Sequence, residues 1–113
     1  MSRITLITLG CAKNLVDSEV ILGCLNEQGH SFTADLEEAE VVIINTCGFI
    51  QEARAESQKT IEKVLVWKAK NPLRRLAVVG CYVERYRDYL KAKYPLVDLW
   101  SGVTDFARLG ELL

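Results

Sequence analysis

Val41-Val42-Ile43-Ile44-Asn45-Thr46 is the stretch on which the fold turns. Four consecutive β-branched apolar residues with no polar alternation suit a strand covered on both faces, and such strands belong to parallel sheets. Working outward, residues 4–10 and 76–80 repeat the theme as short apolar runs, each ending in glycine. Between the runs lie stretches of helical period. Downstream of residues 41–46, a long helix is expected from Gln51 to about Ala69, with Ala53, Ser57, Ile61, Val64 and Leu65 as its inner stripe and Asn71-Pro72 as its stop. Upstream, Asn14 or Ser18 caps a helix whose stripe is Val16, Val20, Ile21, Cys24 and Leu25, and Gly29 ends it. Residues 30–34 are a short second strand. Residues 84–93 form a helix with Tyr86 and Leu90 on one side, residues 97–101 a fifth strand, and Thr104 or Asp105 caps a last helix carrying Phe106, Leu109 and Leu112. Strands alternating with helices give an α/β fold of three layers: an open, parallel five-stranded sheet in the flavodoxin-like order 2-1-3-4-5, with helices on both faces.

Composition agrees with a packed domain. The chain has 113 residues, 50% hydrophobic and 26% charged, so residues 1–113 read as one domain with material for a core. A net charge of -1 argues against a mode of binding that rests on nucleic-acid phosphates. The longest uncharged run, residues 41–51, is too short to cross a membrane. The N-terminus runs straight into a strand without the apolar core and cleavage site of a secretory signal. A cytoplasmic, reducing setting is therefore expected, in which four cysteines are thiols or metal ligands before they are a disulfide framework.

Three of those cysteines share one address. Cys11, Cys47 and Cys81 each follow a strand, at separations of 36 and 34 residues, and each adjoins a glycine: Gly10, Gly48 and Gly80. In the order 2-1-3-4-5, strands 1, 3 and 4 are neighbours. All three thiols then emerge beyond the carboxyl edge, where open α/β sheets hold ligands. Convergent thiolates suit a soft metal or an iron–sulfur cluster, and three protein ligands leave one iron open. Other readings of the same residues stand beside this one: separate small core residues, a thiol pair closed as a disulfide, or a zinc site lacking an obvious fourth ligand. His30, the one histidine, sits at the opposite end and reads as a surface residue. Cys24 reads as core. Asn14, Asp17, Ser18, Asn45 and Thr46 are candidates for lining the site, and no residue is assigned a catalytic role. A metal-free nucleotide- or flavin-binding domain would use the same edge, but no GxGxxG or GxxxxGK[ST] string is present. Tyr82, Arg85, Tyr86, Arg87 and Tyr89 interleave aromatics with cations, yet helical spacing spreads them around a half-buried surface helix.

The strings Leu9-Gly10-Cys11-Ala12-Lys13-Asn14-Leu15-Val16-Asp17-Ser18-Glu19, Asn45-Thr46-Cys47-Gly48-Phe49-Ile50 and Val79-Gly80-Cys81-Tyr82 with Arg85 resemble the N-terminal domain of radical-SAM methylthiotransferases. The first string is most similar to the RimO branch, which modifies an aspartate of a small-subunit ribosomal protein; the alternative is the branch that modifies a tRNA adenosine. Ala12 stands where RimO members often have proline. The resemblance implies that Cys11, Cys47 and Cys81 bind an auxiliary [4Fe-4S] cluster. It also implies that a second [4Fe-4S] cluster and S-adenosylmethionine belong to a radical-SAM domain. That domain's Cys-x-x-x-Cys-x-x-Cys motif is not in this sequence, where no two cysteines are closer than 13 residues. The chain then reads as a fragment of a longer enzyme, inactive alone. Its implied partners are the ribosomal protein and the enzyme's other domains, with no membrane and no nucleic acid bound by this domain.

Overall fold

In a computed structural model, residues 3–9, 12–46 and 51–102 are described, with the side chains of 12–18 outside that description. The strands are β1 (Arg3–Thr8), β2 (Ser31–Phe32), β3 (Val41–Thr46), β4 (Arg75–Gly80) and β5 (Leu99–Ser101). The helices are α1 (Ala12–Glu27), α2 (Gln51–Ala69) and α3 (Cys81–Lys93). The strands form one sheet in the order β2-β1-β3-β4-β5, and every pairing is parallel. This is the expected α/β architecture.

All six residues of β3 are buried, as its unbroken apolar run requires. The two faces of the sheet are packed by different helices. Val42 and Ile44 meet Ile61, Val64 and Trp67 of α2 and Val83 and Leu90 of α3. Val41 and Ile43 meet Ile21 and Leu25 of α1 on the other side. Handedness explains the split. From β1 the chain winds outward to β2, and from β3 it winds the opposite way through β4 to β5. Right-handed crossovers in opposite directions place their helices on opposite faces. The reversal lies between β1 and β3, the switch point where such sheets hold ligands.

Local signals fix several boundaries. Gly29, at φ 89°, ends α1 in a Schellman motif: His30 N–H donates to Leu25 C=O at 3.2 Å and Gly29 N–H to Asn26 C=O at 3.1 Å. Trp67, near the end of α2, donates its indole N–H to Leu36 C=O at 2.6 Å, and the Arg74 guanidinium lies 4.8 Å from its ring centre. That contact holds the acidic turn after β2 against the helix.

Expectations for three elements need correction. The second strand has two residues rather than five, because the chain turns after Thr33, whose N–H still donates to Ile4 C=O at 2.9 Å: the Thr33 hydroxyl accepts from Asp35 N–H at 3.1 Å, and the Asp35 carboxylate accepts from Glu37 N–H at 2.9 Å. Val20 is 51% exposed, since the buried residues of α1 among those described are Ile21 and Leu25, and Cys24 is half-buried rather than core. The third helix begins at Cys81, three positions before the expected 84. Its buried residues are Cys81, Tyr82, Val83 and Leu90, while Tyr86, at a break in helical geometry (φ −127°, ψ 29°), is exposed. The last helix, with Phe106, Leu109 and Leu112, lies outside the described residues.

Candidate metal centre at the carboxyl edge

The ends of three strands are aligned by the ladder. Thr8 pairs with Asn45, and Leu9 N–H donates to Asn45 C=O at 3.0 Å. Thr46 pairs with Gly80. The next residues in the chain after that pair are Cys47 and Cys81, and Cys11 is the third residue after Thr8. Neighbouring strands run ~4.8 Å apart. Cys81 is buried as the first residue of α3. Cys11 and Cys47 lie outside the described residues, as do the side chains of Asn14, Asp17 and Ser18. Among the described residues no group of three metal-binding side chains occurs.

Asn45 and Thr46 are fully buried beside Cys47 in sequence. The Thr46 hydroxyl donates to Val79 C=O at 2.6 Å and fastens β3 to β4 one step before the cysteines. Gly80 has φ 107° and ψ −167°, a conformation closed to residues with a side chain. A Cβ there would lie 2.6 Å from both the Asn45 side-chain oxygen and the Thr46 carbonyl oxygen. The glycine lets the two strand ends close together, and it turns the chain from strand into helix with no loop between. As N-cap it offers no side-chain hydrogen bond to α3. The first turn of α3 places the positive end of the helix dipole at the edge, favouring negative charge there. A buried thiol, a glycine cradle and a helix N-terminus fit a thiolate-bound, anionic metal group.

A polar chain between α2 and α3 leads away from the edge, and the sequence reading missed it. Gln58 donates through Nε2 to Tyr82 Oη at 2.6 Å. Its Oε1 accepts from Lys93 Nζ and lies 3.3 Å from Tyr94 Oη. Tyr94 Oη lies 2.7 Å from Glu62 Oε2 as donor. Gln58 and Glu62 stand four apart on α2, so their common side was legible; their partners on α3 were not. Burial first, then the bond to Glu62, push the Tyr94 phenol above its ordinary 10.0. The folded state thus holds this proton more tightly than the unfolded chain. Its contribution is complete below 10.0 and is lost as pH rises past that value. Urea unfolding across about pH 9 to 11 should show stability falling with pH, and Tyr94→Phe should flatten that fall.

Tyr82 is buried, while Arg85, Tyr86 and Tyr89 are exposed and interleaved with Glu84 and Asp88. His30 is partly exposed. Among the described residues no helix is long and apolar enough to cross a membrane.

A family profile described as "Uncharacterized protein family UPF0004" matches residues 3–102. The chain is 43% identical over 111 residues to the ribosomal protein uS12 methylthiotransferase RimO of Trichlorobacter lovleyi, covering 98% of this chain and 25% of the relative. It is 50% identical over 107 residues to that of a Sulfurihydrogenibium species, with 95% and 25% covered. To that of Clostridioides difficile it is 42% identical over 113 residues, with 100% and 26% covered. The chain spans about a quarter of the length of these curated relatives.

Proposed function

Since the chain belongs to the UPF0004 family, we propose that it is the cluster-bearing N-terminal domain of a RimO-type methylthiotransferase, with Cys11, Cys47 and Cys81 as ligands of one [4Fe-4S] cluster. One observation carries the reading: Thr46 and Gly80 are paired, and the residue after each is a cysteine. Fixed strand spacing then does the work that local Cys-x-x-Cys spacing does elsewhere. When bound, the cluster supplies an iron without a protein ligand, at which sulfur can be held for transfer. The chain's own part is to hold three thiolates at one edge, favour their charge with helix N-termini, and keep water from the strand ends with Asn45 and Thr46.

The whole enzyme, on this reading, methylthiolates an aspartate of ribosomal protein uS12 in the cytoplasm. The second cluster and S-adenosylmethionine belong to its other domains. This chain alone is inactive. Anaerobic reconstitution with iron and sulfide should load about four irons per chain and give a broad visible absorption. Cys47→Ala should abolish that loading. Retention of all four irons by Cys47→Ala would overturn the ligand assignment.

A further inference from the structure

α3 is two helical pieces joined at Tyr86, where the backbone leaves helical geometry. The break sets residues 81–85, the turn that carries Cys81, apart from the stretch 87–93. One side chain of α2 spans it. Gln58 Nε2 donates to Tyr82 Oη at 2.6 Å, and Gln58 Oε1 accepts from Lys93 Nζ. An ammonium only donates, so the Lys93 contact fixes which end of the amide faces Tyr82. Lys93 is itself held over the rings of Tyr89 and Tyr94, 5.9 and 5.6 Å from their centres. Tyr82, the residue after Cys81, is 2% exposed, and Tyr86 closes on it edge-on with ring centres 5.4 Å apart.

Val83, in the same turn, is buried through apolar contacts, which have no preferred direction. The bond between Gln58 and Tyr82 is directional, and it sets how the turn is rotated about its axis. We propose that Gln58 and Tyr82 are positioning residues for Cys81: their bond latches the first turn of α3 to α2 and so governs the direction and accessibility of the buried thiol. They act through Cys81 and are not ligands. The latch also ties together the two segments that bear thiols at this edge, since Cys47 lies four residues before α2 and Cys81 is the first residue of α3. Its effect on bound iron rests on the cluster reading; its effect on the thiol itself does not.

The test alkylates the reduced, iron-free chain with iodoacetamide and follows the peptides of Cys81 and Cys24 by mass spectrometry. Cys24, on α1, is the internal reference, because global unfolding raises both rates together. Tyr82→Phe keeps the ring and removes the acceptor; Gln58→Met keeps the length and removes the donor. Each should raise the ratio of Cys81 to Cys24 alkylation about fivefold, the worth of one net hydrogen bond, and the double variant should add nothing further. Thr5→Val removes a hydroxyl bond on β1, to Thr33 C=O at 2.8 Å, and should leave the ratio unchanged. A ratio indifferent to Tyr82→Phe, equal rises at both thiols, or additive effects in the double variant would overturn the proposal. After anaerobic loading, Tyr82→Phe should hold the parent's iron count, lose iron to a chelator about fivefold faster and shift the electron paramagnetic resonance of the reduced cluster. Release at the parent's rate would overturn the latch's part in the site. A parent chain that loads no iron would strike the cluster reading, and the alkylation ratio would still decide the latch.

Discussion

Gly80→Ala is expected to destabilise the domain by ~3 kcal/mol or more and to remove iron binding with it. Two costs combine. The backbone at φ 107° and ψ −167° lies where side-chain-bearing residues are excluded, which costs about 1–3 kcal/mol. The added methyl would also press to 2.6 Å from the Thr46 carbonyl oxygen and 2.9 Å from the Thr46 nitrogen. Those atoms are backbone in the central strand and cannot swing aside, so the strain adds to the first term. With total stability of about 5–15 kcal/mol, the loss is a large share. Thermal unfolding should move down by roughly 12 °C or more. A variant within about 2 °C of the parent would show that the strand ends separate freely, and the close approach of β3 and β4 would lose its role.

Cys81→Ala is expected to do the reverse: to keep the fold and lose the metal. Alanine is an excellent helix residue at the first position of α3, and removing one buried sulfur costs on the order of 1 kcal/mol. The iron content after anaerobic reconstitution should fall from about four per chain to near none, with circular dichroism unchanged and the unfolding midpoint lowered by only about 4 °C. An iron load equal to the parent's would remove Cys81 from the ligand set. The two neighbouring substitutions thus separate support of the site from ligation: Gly80→Ala loses both properties, Cys81→Ala only one.

Much of the fold is legible in the residues because its strongest signals are local. Val41–Thr46 has one plausible reading, α2 runs over the expected Gln51–Ala69, and Gly29 stops α1 by a motif that glycine favours. Legibility fails where a distant contact overrides a local pattern. Residues 30–34 look like a strand, but Thr5 donates its hydroxyl to Thr33 C=O at 2.8 Å and the chain turns there. Tyr86 has the right spacing from Leu90, yet the break in α3 rotates it outward beneath Arg54. Trp67 was absent from the expected stripe of α2 because its burial depends on Leu36, 31 residues away. At the site, the shared address of Cys11, Cys47 and Cys81 follows from counting strands. The cradle at Gly80 does not, since it needs the register of Thr46 against Gly80. The bond from Gln58 to Tyr82 is equally invisible without α2 and α3 in place.

A strand that passes into a helix with no intervening linker leaves Cys81 few orientations to search. The entropy of ordering that thiol is lost when the sheet forms, not when iron arrives. A donor prepared in this way gives up little freedom on coordination, so more of the intrinsic bond energy remains as affinity.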